Sequence, residues 1–367
     1  MPDASKRPRR AGGSIAQRRL RTQRLAGEGF STPADAVRWF GAVQAQDYAG
    51  ALWAVGMRTR GAVQADVERA VAERTIVRSW PLRATLHFTA PEDLRWMLAC
   101  FAPRIIARAV PRLKQLELDE RTLSRSAAVL GRALQGDRRL SRPNLYARLE
   151  RAGISTVGGR GAHILWHCAH GGLICFATRE GNQHTFALLD EWLPPAKKLT
   201  REEALAELTR RYFTSHGPAT LKDFVWWSGL SVGDARLGLE LIGPRLHTST
   251  IEGVAHWHAE PTRGSVAPGH AVLLPPYDEY TVAYQDRRAA LDPRHAAAAR
   301  NGILGPTILL DGRIIGTWTR QLTRDAVIIA LKPFARLTGE RRQTIAAAAE
   351  RYGRFIGRPA RITQLDR

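Results

Sequence analysis

The sequence predicts an α+β protein of tandem winged-helix units, each a helix-turn-helix plus a β-wing, followed by a C-terminal β-rich domain. Two observations predict it. An order of helix, close helical pair and two-stranded hairpin recurs three times, and beyond Pro261 the pattern changes to short strands punctuated by turns. At 367 residues, 44% of them hydrophobic, the chain can bury a core of several such units.

Each unit follows from local signals. Residues 1–13 are rich in Arg, Pro and Gly and read as a disordered basic arm able to touch phosphates. The first unit spans 14–90. Ser14 caps a helix reaching about Ala26, Thr32-Pro33 opens another through Phe40, and Ala51–Met57 reads as a strand-like or buried segment. A short helix from Gln64 to Arg74 precedes two extended runs, Ile76–Trp80 and Thr85–Phe88, around a turn containing Pro81. The second unit, 91–198, carries helices over Pro91–Ala109, Arg121–Gln135, Arg142–Ala152 and Gly161–His170. Its wing is Leu173–Thr178 and Thr185–Leu188 around Gly181-Asn182. The third, 199–260, opens on a Thr200/Glu203 capping box. Its helical pair is Thr220–Trp227 and Val232–Ile242, and its hairpin is Leu246–Ile251 and Val254–His258 about Glu252-Gly253. In 261–367 the strands are Ala271–Leu274, Tyr280–Tyr284, Thr307–Leu310, Arg313–Trp318 and Ala326–Leu331, closed by a helix from Gly339 to Ile356.

Lysine and arginine number 55 against 34 acidic residues, a net charge of +21, which points to a polyanionic partner. Only six of the cations are lysine, an imbalance that a GC-rich genome also produces. Three cysteines, Cys100, Cys168 and Cys175, with no CxxC spacing, supply neither a zinc ribbon nor a disulfide framework. No apolar stretch suits a signal peptide or a membrane span, so a cytoplasmic, nucleoid-associated protein without membrane contact is expected.

Four strings occur in order along the chain: Val43-Gln44-Ala45-Gln46-Asp47, Arg83-Ala84-Thr85-Leu86-His87-Phe88, Pro275-Pro276-Tyr277-Asp278-Glu279-Tyr280, and Asp311 through Trp318. Together they resemble the AlkZ-like (YcaQ-like) winged-helix DNA glycosylases, over essentially the whole chain after residue 13. The resemblance implies a C-shaped arrangement around a DNA channel and hydrolysis of the N-glycosidic bond of alkylated purines, with some members unhooking interstrand crosslinks. It also implies that Gln44 and Gln46 are catalytic, since the family signature is glutamine, an apolar residue, then glutamine. A related branch replaces the second glutamine by aspartate; Asp47 follows Gln46 immediately, so a shift of register by one would give it that role, and it is a second-tier candidate. Without that context the tripeptide is ordinary surface or capping polarity.

Glutamines restrict the chemistry. Conventional glycosidases use two carboxylates, one to protonate the leaving group and one as nucleophile or base, and an amide does neither. A purine alkylated at N3 or N7 is already cationic and departs as a neutral base, so water positioning and dipolar stabilisation of the sugar suffice. The expected enzyme is a monofunctional hydrolase of base excision repair. It needs no cofactor and no metal, and works as a monomer on duplex DNA with alkylated or crosslinked bases. The alternative from another class is a noncatalytic winged-helix regulator or architectural protein.

Arg83, His87, Asp278, Glu279 and Trp318 are the candidates for DNA or lesion contact. Each has a bland counterpart: a solvated arginine, a wing histidine bonded to backbone, carboxylates anchoring the β-domain against arginine-rich helices, and a core tryptophan. Arg104, Arg108 and Arg112 make a stripe suited to a duplex backbone or to solvent. Gly158-Gly159-Arg160-Gly161 at a helix start can cradle a phosphate. His163, His167, Cys168 and His170 lack the accompanying ligands of a metal site.

Overall fold

The computed structural model describes residues 14–259, 266–298 and 305–364; the basic arm lies outside them. Three helical sets, each followed by a hairpin, precede a five-stranded sheet. The first set begins with α1 (Ile15–Thr22), whose Ser14 cap accepts the Gln17 N–H, and α2 (Pro33–Phe40), which starts on Thr32 with proline at its first turn. The two-residue strand β1 (Val43–Gln44) leads into α3 (Tyr48–Gly56). The reading of Ala51–Met57 as strand-like is corrected here. Gly50 to Gly56 are all buried, so the segment has no polar face to betray a helical period. A Cβ at Gly56 would lie 2.1 Å from the Phe355 ring, so glycine lets the C-terminal helix close on α3. Next come α4 (Gln64–Ala72), β2 (Val77–Leu82) and β3 (Thr85–Thr89). Arg83 and Ala84, both with positive φ, make the turn, and Pro81 falls instead inside β2, where the register shifts after Ser79.

The second set is α5 (Pro91–Gln115), α6 (Glu120–Leu134), β4 (Leu140–Ser141), α7 (Arg142–Arg151), α8 (Arg160–His170), β5 (Ile174–Glu180), β6 (Gln183–Leu188) and α9 (Leu189–Trp192). Its hairpin does not stand apart. β2 meets β5 at Arg78 and Phe176, and one six-stranded sheet runs in the order β1-β3-β2-β5-β6-β4. The third set, α10 (Arg201–His216), α11 (Leu221–Ser228) and α12 (Val232–Ile242), carries its own two-stranded hairpin, β7 (His247–Ile251) and β8 (Val254–His258).

The C-terminal sheet has the order β13-β12-β11-β10-β9, from β9 (Ala271–Leu274), β10 (Thr307–Leu310), β11 (Arg313–Leu322), β12 (Val327–Pro333) and β13 (Ala360–Gln364), the last parallel to its neighbour. The expected strand at Tyr280–Tyr284 is instead the short helix α13 (Glu279–Val282). Asp278 caps it by accepting the Tyr280 N–H at 2.9 Å, which turns a β-like residue pattern into a helical turn. The closing helix α14 (Gly339–Phe355) seats Tyr352 and Phe355 against Trp53, in a core shared by the first set and the C-terminal sheet.

Candidate active site

The Gln44-Ala45-Gln46 backbone is held from three directions. The Gln44 N–H donates to Glu279 Oε1 at 2.8 Å, and the Ala45 N–H donates to the Leu86 carbonyl at 2.7 Å. The Ala45 carbonyl accepts both Nε (3.1 Å) and Nη2 (2.8 Å) of Arg78. Gln46 reaches the same strand through Oε1, which accepts the Leu86 N–H at 3.3 Å. The strand ends at Gln44 and the chain bends at Gln46, so the two amides leave successive turns of the backbone, one buried and one exposed. Gln44 is 9% exposed and directly opposite His87, its side-chain amide without a hydrogen-bond partner among the described residues; Gln46 is exposed. Asp47 is half-buried at the start of α3, where its side chain caps nothing.

Both carboxylates of the Asp-Glu pair are turned inward. Glu279, 1% exposed, also receives the Trp227 indole N–H at 2.8 Å and faces His216 Nε2 at 3.2 Å. Burial opposes its ionisation, but His216 and the Gln44 amide outweigh that and hold it below the usual carboxylate range. It is therefore an ionised support under the loop with its acceptor sites taken, and it offers no proton. His216, lowered chiefly by burial, is neutral. Asp278 accepts Arg58 Nη1 and Nη2 at 2.8 and 2.9 Å in a bidentate pair, both residues 1% exposed, that fastens α13 to α3.

The wing candidates are equally engaged. His87 Nδ1 meets the Thr85 carbonyl at 2.9 Å, and burial, helped by Arg83, pushes its pKa down to about 3. It is thus neutral with Nδ1–H donating, and Nε2 is buried without a partner among the described residues. Arg83 donates to the carbonyls of Trp226 and Trp227 at the C-terminal end of α11, a favourable place for a cation. Trp318, 2% exposed, gives its indole N–H to the Leu274 carbonyl at 2.9 Å and packs edge-on against Tyr352.

Arg104 and Arg108, exposed on α5, line a cleft of about 820 Å³ together with Arg83, Trp96, Trp166 and Arg201. Neither glutamine lines it; the cleft reaches the hairpin paired with the motif at the Arg83-Ala84 turn. Arg112 bonds Gln115 at 3.2 Å and stays exposed. At the glycine-rich segment Arg160 donates to the Leu116 and Glu117 carbonyls, so its guanidinium is spent on the end of α5. No cluster of three or more metal-ligating side chains exists among the described residues, and His163 and His170 each bond a carbonyl of their own helix.

The sequence reading missed Arg58, Arg78, His216 and Trp227. Arg58 and Arg78 carried a legible signal, a lone arginine beside or within an apolar run, which marks a buried cation that must find acceptors. His216 and Trp227 lie far along the chain from the motif and carried none.

Comparison with known proteins places this arrangement. The family described as DNA glycosylase AlkZ-like matches residues 37–355. An interstrand DNA cross-link repair glycosylase of Streptomyces sahachiroi is 25% identical over 324 residues, covering 82% of this chain and 85% of that protein. The solved structure of the Streptomyces sahachiroi DNA glycosylase AlkZ superposes with a TM-score of 0.76 at 22% identity, covering 96% of this chain and all of that one, which shows the fold. With the matched segment taking in the clamped glutamine loop, the β2–β3 hairpin and four of the five strands of the C-terminal sheet, the chain belongs to the AlkZ-like family of DNA glycosylases.

Proposed function

We propose that this glycosylase hydrolyses the N-glycosidic bond of cationic N-alkylated purines in duplex DNA, bulky adducts or interstrand crosslinks included, with Gln44 and Gln46 directing the water. The observation that carries the reading is the immobilised backbone between the two amides, bonded to Glu279, Leu86 and Arg78 while no titratable side chain of the motif is engaged as acid or base. A fixed pair of amide dipoles can orient a water and favour positive charge on the sugar, contributing on the order of 10³ to 10⁵ in rate. That is enough for a leaving group that is already cationic and too little for a normal base. DNA binding falls to the arginines and hairpins, and the named cross-link activity of the Streptomyces sahachiroi relative makes crosslinked duplexes the first bulky substrates to offer.

The test is a duplex carrying 7-methylguanine, incubated with protein and then treated with alkali. Strand breaks at the lesion are expected from the wild type, none from undamaged duplex, and none from the Gln44→Ala, Gln46→Ala double variant, which still binds DNA. A noncatalytic DNA binder gives no breaks with any of them. Monofunctional hydrolysis further requires that borohydride trap no protein–DNA adduct during the reaction.

A further inference from the structure

We infer that Arg78 is a positioning residue for this hydrolysis, fixing the peptide between the two glutamines and tying it to the hairpin of the second helical set; the inference rests on the glutamine reading above. Arg78 is 4% exposed in β2, at the seam where that strand meets β5. Its planar fork gives two donors to one oxygen, the Ala45 carbonyl, and this fixes a peptide plane in a way that a single bond does not. The remaining arm lies 3.0 Å from His184 Nε2 on β6. Burial, aided by the neighbouring arginines Arg78 and Arg179, drives His184 down to about 4, so the ring is neutral and its Nε2 accepts. The rings of Tyr48 and Phe176 flank the guanidinium, with centroids 5.3 and 4.8 Å away.

No carboxylate pairs with Arg78 among the described residues; burial, and the repulsion of Arg142 and Arg179, bring its pKa down to about 10. A buried cation in contact with a carbonyl, a neutral imidazole and two ring faces, and favoured by a carboxylate only at a distance, from Asp47, is an expensive way to fill a sheet, since a neutral side chain would serve stability as well. What the charge and fork supply instead is the orientation of the Ala45–Gln46 peptide, and through it the direction of both amides. β1 ends at Gln44, so the sheet ladder does not do this.

The experiment uses the full chain and single-turnover excision of 7-methylguanine from a duplex oligonucleotide, with duplex Kd and melting temperature measured alongside. For Arg78→Met the excision rate is expected to fall about 100-fold, and for Arg78→Lys, which keeps the charge but not the planar fork, about 10-fold, with Kd within about two-fold of wild type and the melting transition retained. Folded Arg78 variants that excise at the wild-type rate overturn the inference, as does a rate loss matched by an equal loss of duplex affinity or by loss of the melting transition in both variants. The Gln44→Ala, Gln46→Ala protein is the separate arm. If it still excises, the glutamine reading itself fails; if it is inactive while Arg78→Met is not, only the role of Arg78 is lost.

Discussion

The first and third hairpins are built on the same two-residue left-handed turn and end in opposite situations. In β2–β3 the turn is Arg83-Ala84, and β3 is buried from Leu86 onward between β1 and β2; in β7–β8 it is Glu252-Gly253, and β7 is open to solvent along most of its length. Glutamate-glycine is an ordinary solution to that turn, whereas two residues with Cβ atoms in the left-handed region store strain. The strained tip is the one whose arginine is tied to the Trp226 and Trp227 carbonyls and whose second strand carries the partner of the glutamine loop. Local geometry alone therefore does not tell a solvent-facing hairpin from one built into the glutamine loop's support; burial and bonding partners do.

Three perturbations sharpen that contrast, the largest first. Asp278→Ala removes the carboxylate that fastens α13 to Arg58 and leaves Arg58 buried without its partner, so chemical unfolding should show a loss of about 3 to 5 kcal/mol. An unchanged midpoint would mean that the C-terminal sheet is not fastened through this pair. Acid comes second. His87 titrates at about 3 in the fold against an ordinary 6.5, so the native state refuses a proton that the unfolded chain takes up. Its contribution is complete above about pH 6.5 and is lost as pH falls toward 3, costing about 2 kcal/mol by pH 5. His87→Gln should flatten that part of the pH–stability curve, and an unaltered slope would assign the acid sensitivity elsewhere, with His170 and His184, both near 4, next in line. The smallest effects are a matched pair at the turns. In thermal melts Ala84→Gly should raise stability by about 1 kcal/mol by relieving a positive φ of 59°, while Gly253→Ala, at 76°, should lower it by a similar amount.

Most helices, their caps and the second and third hairpin turns were legible in the sequence because they rest on neighbours: Ser14, Thr32 and Thr200 beside the amides they cap, and Gly181 and Gly253 at their turns; the first turn was not, because Pro81 drew it away from Arg83-Ala84. The glutamine motif was legible through family resemblance, not through its own chemistry. What stayed hidden depends on residues distant in the chain. α3 is apolar on every side, so periodicity cannot reveal it, and α13 is decided by one capping aspartate within a strand-like run. The union of the first two hairpins is joined at Arg78 and Phe176, a single pairing that no local rule anticipates. Asp278 and Glu279 were noticed as chemistry, but only their partners Arg58, His216 and Trp227 reveal them as supports.

Glu279 stands 235 positions downstream of the amide it receives, and Asp278 stands 220 beyond Arg58. A copy still emerging from the ribosome thus exposes its glutamine motif long before the residues that brace it have been made. Translation order alone withholds the braced glutamine loop until the polypeptide is more than three-quarters synthesised, so an abandoned N-terminal fragment carries the motif without the carboxylate that receives its backbone.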